Sequence, residues 1–309
     1  PLIGGMMIDW LGWSGVFWFR IPIVLAGLIL TVALAKEPSI KAPSKGELDL
    51  TGIAGLVIGM TAALLAIGQA PRLGLDSSVL LGLIVAGIAG LSLYVYRQIS
   101  HPDKALFDLK VIGDLRFTTV VIAHGLAAMG EFAVMLLIPY FLAANAGLGP
   151  ISAGMVLAAA PGGIMFASYV VKRFAPSGVP NMAAGAAIFI SAGALATISV
   201  WSPSPSIPTM VLCLGAVGFG YGVYHVTAMD RVMGTLPLHQ RGVAGSISML
   251  VRTAGVVGSA SLLSWWFIRA GGNSAESLHE ALTSSFVVAA SIAAAGFVVF
   301  TVGAFLART

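Results

Sequence analysis

FTTVVIAHGLAAMGEFAVMLLIPYFL, residues 117–142, is an apolar run long enough to cross a bilayer as a helix, and it carries His124 and Glu131 in its interior. A carboxylate at that depth costs from roughly 3 to more than 10 kcal/mol, so such a group faces a protein interior or a wet cavity rather than lipid. His124 and Glu131 are seven apart, which puts them on one face of a helix, separated by about 10 Å along its axis. One polar face on an otherwise lipid-like helix reads as the lining of a transport pathway.

The rest of the chain supports a membrane setting. Hydrophobic residues make up 58% and charged residues 9% of the 309, against about 25% charged in a typical soluble domain. That balance excludes a soluble fold and points to an all-α membrane protein with many spans. The single cysteine, Cys213, lies in an apolar run, so neither a disulfide framework nor a cysteine-based metal site is expected. Working outward from 117–142, apolar runs of spanning length fall at 15–35, 50–70, 79–96, 151–171, 181–200, 208–229, 242–267 and 281–306. With the central run these make nine complete spans. Residues 1–8 read as the end of an earlier helix, followed by a Trp-rich turn at 9–13. The expectation is therefore a fragment: nine transmembrane helices plus a truncated one, with no Met and no leader ahead of Pro1.

Alternate loops can be assigned to opposite sides and their basic residues counted. One set holds Lys36, Lys41, Lys45, Arg97, Lys104, Lys110, Arg116, Lys172, Arg173, Arg231, Arg241 and Arg308; the other holds only Arg20, Arg72 and Arg269. Twelve against three makes the first set cytoplasmic and places the C-terminus inside, in a cytoplasmic (inner) membrane. Two polar connections, 36–49 and 97–116, divide the chain into three parts: 1–36, the end of an N-terminal helical bundle; 37–116, cytoplasmic linkers with two inserted helices; and 117–309, a C-terminal six-helix bundle.

Several stretches resemble a known family. PLIGG at 1–5 with DWLGWSGVFWFRIP at 9–22, KALFDLKVIGDLRF at 104–117, PYFLAANAGLGPISAGMVLAAAPGG at 139–163, GAVGFGYG at 215–222 and RGVAGSISMLVRTAGVVGSA at 241–260 are similar to segments of the fourteen-helix drug:proton antiporters of the major facilitator superfamily. The resemblance implies a partial major facilitator fold, running from the end of helix 5 to helix 14. It also implies that 117–142 and 208–229 line a central cavity, while 181–200 and 281–306 lie outside toward lipid. Arg20 departs from the family, which usually has a neutral polar residue there.

Candidate functional residues follow from both sources. Glu131 reads as the carboxylate for proton coupling or for a substrate cation, against a structural glutamate that is protonated or hydrogen-bonded; solvent access and neighbouring cations move a carboxyl's proton affinity in opposite directions. His124 and His225 read as a relay or a cavity wall, against neutral histidines bonded to neighbouring helices. Arg252 reads as a gating charge, against a structural one. Phe132, Tyr221 and Tyr224 are candidate surfaces for a cationic substrate, against ordinary interfacial or core aromatics. Pro1, Gly4 and Gly5, with Gly154, Gly162 and Gly163 on another helix, read as a packing motif whose small residues let backbones approach closely.

No phosphate-binding loop, nucleophile elbow or dinucleotide fingerprint occurs, which counts against ATP-driven transport and against an enzyme. No cofactor, metal or nucleic-acid partner is expected; the partners are the lipid bilayer, protons and a small hydrophobic or cationic substrate, with a periplasmic adaptor left open. The leading reading is a proton-coupled exporter. The alternatives are a facilitator or ion-coupled transporter of a specific metabolite, or a membrane sensor or scaffold that does not transport.

Overall fold

The computed structural model describes residues 2–34, 49–74, 76–101, 113–143, 148, 150–234, 241–272, 274 and 276–306. Pro1, Lys36, Lys41, Lys45, Lys104, Lys110 and Arg308, and most of both long polar connections, lie outside the described residues. The described residues form eleven α-helices: α1 Leu2–Trp18, α2 Arg20–Leu34, α3 Leu50–Leu73, α4 Ser78–Ser100, α5 Leu115–Phe141, α6 Pro150–Leu157, α7 Ala159–Phe174, α8 Asn181–Ile198, α9 Ile207–Gly234, α10 Arg241–Arg269 and α11 Leu278–Leu306. In lipid every backbone N–H and C=O must be paired within the protein, so uninterrupted apolar runs become helices.

The helix starts are set by short polar side chains. Asp49 accepts from the Gly52 amide at 3.1 Å, Ser77 from Leu80 at 3.5 Å and Asp114 from Arg116 at 2.8 Å. Asp49 also pairs with the Arg97 guanidinium, Nη2 to Oδ1 at 2.8 Å, which ties the start of α3 to the end of α4. The bond from Arg97, with that from Gly52, holds the Asp49 carboxyl down at about 2, so the clamp is fully charged above the usual carboxylate range and is lost only as pH falls through that value.

The expected count of nine spans behind a truncated stub does not stand. Among the described residues eight helices are long and apolar enough to cross a membrane, or nine if the bent pair at residues 3–18 and 20–34 is one span. The difference lies at 9–13, where a turn was expected. Helix α1 runs through that stretch to Trp18 and is broken within it by a kink at Gly12, with φ 69° and ψ −169°. Between α1 and α2 the bend is only 42°, and the Phe19 amide still donates to the Gly15 carbonyl at 3.0 Å. Pro22 falls in the first turn of α2, where its missing N–H costs nothing. Helical structure thus runs from Leu2 to Leu306 across the described residues, with no isolated stub.

A second break divides the expected span 151–171 into α6 and α7. Pro161 has no N–H to give the Leu157 carbonyl, and the helix yields at Ala158 before Gly162 resumes bonding to it at 2.9 Å. Helices α5, α8, α9 and α11 enclose the main core, where Leu137, Ile138, Leu195, Leu214, Tyr224 and Phe286 are all but fully buried. Helices α8 and α11 pack on each other and on the backs of α9 and α5, each keeping an exposed apolar face with Phe189 or Val298. Helix α1 is held to the rest through α6, and α3 and α4 pack on each other and reach the bundle mainly where α3 meets α10.

The α3–α4 contact is backbone on backbone. A Cβ added at Gly90 would stand 2.6 Å from the Gly59 nitrogen and 2.7 Å from its Cα. Gly90→Ala should therefore lower stability by about 1–3 kcal/mol, the usual cost of overpacking. Gly82→Ala, on the open side of the same helix, should raise it by about 0.5–1 kcal/mol. Unfolding in detergent measures both; equal effects would mean that the two helices separate without cost.

Candidate functional site

Helix α5 carries polar groups at two levels, and each level meets different neighbours. At the lower level His124 is fully buried, with Nδ1 3.0 Å from Ser248 Oγ on α10 and Nε2 2.9 Å from His225 Nδ1 on α9. A bond between two imidazole nitrogens needs one to donate and the other to accept, so the two rings cannot both be cationic while it lasts. Tyr221, one turn before His225, has its ring roughly parallel to both, with centroids 6.3 Å from His124 and 5.7 Å from His225. Its hydroxyl accepts from Arg252 Nε at 3.0 Å. The network thus joins α5, α9 and α10 and runs from the buried His124 to the half-buried His225 and Arg252.

At the upper level Glu131 is half-buried on the wall of a cavity of about 680 Å³ between α1 and α2 on one side and α5, α6 and α7 on the other. The wall is chiefly apolar, with Val134, Met135, Leu157 and Ile23, and it also includes Gly4, Gly5, Gly154, Pro161 and Arg20. Among the described residues the Glu131 carboxylate makes no hydrogen bond and no ion pair; Arg252 is the cation within electrostatic reach of it across the site. Helices α8 and α11 contribute nothing to this wall.

The structure therefore joins His124, His225, Tyr221 and Arg252 and sets Glu131 apart from them, on a cavity that Arg20 also lines. Phe132 is half-buried and lies off the cavity wall. Tyr224 is fully buried, its hydroxyl donating to the Val120 carbonyl at 3.1 Å and its ring set edge-on to Phe300. Within the glycine set, Gly5 and Gly154 are buried where α1 meets α6. Gly163 faces α9 instead, where an added Cβ would stand 2.8 Å from the Phe219 nitrogen, and Gly162 faces open space. Pro1 lies outside the described residues.

Sequence reasoning missed two residues of this site. Ser248 sits one turn before Arg252 on the same face of α10, a spacing that marks it as a partner for whatever Arg252 faces. Arg20 enters the sequence reading only as one of three outer basic residues and as a departure from the family; a charge among the apolar residues of 15–35 is the available signal.

The family model described as Major Facilitator Superfamily matches residues 1–260. The multidrug efflux pump LfrA of Mycolicibacterium smegmatis is 27% identical over 269 residues, covering 85% of this chain and 51% of that protein. The lincomycin resistance protein LmrB of Listeria monocytogenes is 27% identical over 266 residues, covering 84% of this chain and 55% of its own length. The chain spans about half the length of these curated relatives. Among solved structures, a bacterial homolog of the human lysosomal transporter Spinster, in an inward-facing and unoccupied conformation, matches with a TM-score of 0.50 at 12% identity, covering 82% of this chain and 65% of that one; this is a likeness of fold. The match is to the superfamily as a whole, so the narrower assignment to helices 5 to 14 of the fourteen-helix antiporters gives way to superfamily membership.

The Tyr221–Arg252 bond makes a separable prediction. Tyr221→Phe leaves a half-buried guanidinium N–H without its acceptor and should cost about 0.5–1.5 kcal/mol. In an Arg252→Met background the same change should be nearly neutral. Additive losses in detergent unfolding would show that the two side chains do not depend on each other.

Proposed function

The chain belongs to the Major Facilitator Superfamily, and from that premise we propose that it acts as a proton-coupled exporter of hydrophobic, often cationic compounds. It is an integral multi-pass membrane protein of a transporter family, not an enzyme. The observation that carries the proposal is Glu131: one carboxylate without a hydrogen bond among the described residues, on the wall of an apolar cavity large enough for a small molecule. Such a group can hold a proton or a cationic substrate, and the two exclude each other. A proton arriving from outside discharges Glu131 and releases the cation outward; loss of that proton to the inside restores the site. The apolar walls suit hydrophobic compounds, and the names of the relatives, a multidrug efflux pump and a lincomycin resistance protein, favour the same substrate class.

His124, His225 and Arg252 act as a polar plug on the cytoplasmic side of the cavity, holding α5, α9 and α10 in register while α1 moves against α6. The small contact surfaces at Gly5 and Gly154 suit that movement. The protein sits in the cytoplasmic membrane with its C-terminus inside, a reading supported by the excess of basic residues on that side.

Glu131→Gln should abolish proton-driven efflux of a fluorescent cation from cells expressing the protein while leaving binding of that cation measurable, because the cavity wall is unchanged. Normal efflux against a gradient across the pH range would make the carboxylate structural. For orientation, a cysteine placed at Ser77 in a Cys213→Ala background should react with an impermeant maleimide added outside intact cells. Labelling only after the cells are opened would invert the topology.

A further inference from the structure

Only three arginines stand on the side of the membrane that is poor in basic residues, and one of them, Arg20, belongs to the Glu131 cavity. The other two, Arg72 at the end of α3 and Arg269 at the end of α10, line a second cavity of about 560 Å³ in the seam where those helices meet. Its walls are chiefly apolar, with Gly68, Val257 and Ala260 leaving room between the helices, and no carboxylate lines it. Both arginines are exposed, and among the described residues neither forms an ion pair. The Arg269 guanidinium stands 5.4 Å over the ring of Trp265, an aromatic suited to the level of lipid headgroups.

We propose that this seam binds an anionic phospholipid, with its phosphate between Arg72 and Arg269 and an acyl chain along the apolar wall. Two guanidiniums at the mouth of an apolar groove match a ligand that is charged at one end and hydrocarbon at the other. Planar guanidinium donors fit phosphate oxygens in particular. A free phosphate would satisfy the arginines and leave the groove unfilled, whereas a neutral lipid would fill the groove and leave the arginines without a counter-charge. The position gives the lipid a structural task. Helices α3 and α4 reach the bundle mainly along this seam, so a lipid held by one arginine from each side ties the pair to the bundle.

The test is thermal unfolding of the purified protein in a neutral detergent, titrated with phosphatidylglycerol, phosphatidylcholine of the same chains, or glycerol 3-phosphate. Phosphatidylglycerol should raise Tm saturably. Phosphatidylcholine should need about tenfold more or higher to do so, and glycerol 3-phosphate should do nothing. Arg72→Gln with Arg269→Gln should abolish the preference for phosphatidylglycerol without changing Tm in detergent alone. Native mass spectrometry of each single variant, counting bound phosphatidylglycerol, gives a reading that holds even if the double variant folds poorly. Equal shifts by the two lipids, a preference that survives in the variants, or a shift reproduced by glycerol 3-phosphate would each overturn the proposal.

Discussion

A polar side chain between apolar helices must find its partners inside the protein, because no water reaches it there. Short hydroxyls solve this alone. Thr227 donates to the Val223 carbonyl at 2.7 Å, Thr253 to Met249 at 2.8 Å and Ser291 to Val287 at 2.8 Å, each one turn back on its own helix. An imidazole or a guanidinium is too long for that solution, and an imidazole needs both a donor and an acceptor. His124 therefore reaches to Ser248 and His225, and Arg252 to Tyr221, all on other helices. Three bonds of this kind fix the relative height of α5, α9 and α10.

Those bonds have little slack, and the packing beside them shows what keeps them short. Gly125 follows His124 directly, and a Cβ placed there would stand 2.8 Å from Val251 Cγ1 and 3.2 Å from the Val251 carbonyl. Gly255 answers it from α10, where an added Cβ would run into the Gly125 carbonyl. The two backbones touch at the level of His124 and Arg252, so a serine side chain is long enough to close the gap to the imidazole. Any larger residue at either glycine would widen the crossing beyond the range of a hydrogen bond. Polar partner and small neighbour are two parts of one device.

Much of this arrangement is legible along the chain, because spanning length and the cost of buried charge act residue by residue. The runs that became α3 to α5 and α8 to α11 are read directly, and so are Glu131, His124, His225 and Arg252 as residues that need a reason to be there. What is not legible depends on the angle between helices. A glycine at residue 12 permits a break in the helix by its own φ preference, and the chain alone does not say that helix resumes on the far side of it. Pro161 announces a distortion without saying that the helix resumes. Periodicity places His124 and Glu131 on one face, yet it cannot say that α10 covers the first while α6 and α1 leave the second beside a cavity. Ser248 and Arg20 carry a signal in the chain, but the imidazole that the first meets and the cavity that the second lines depend on the same angles.

The separation of the two levels bears on what Glu131 can do. A carboxylate bonded to a guanidinium, as Asp49 is to Arg97 at the end of the α3–α4 pair, has its charge fixed by its partner and exchanges it only at extreme pH. Glu131 is placed differently. Arg252 acts on it from a distance while spending its Nε–H on Tyr221, and Arg20 shares its cavity from the opposite wall. Among the described residues neither cation closes on it, so its oxygens stay open to whatever enters the cavity. The lower network occupies Arg252 through the Tyr221 hydroxyl, and the exchange proposed for Glu131 depends on that cation acting on the carboxylate from a distance rather than bonding to it.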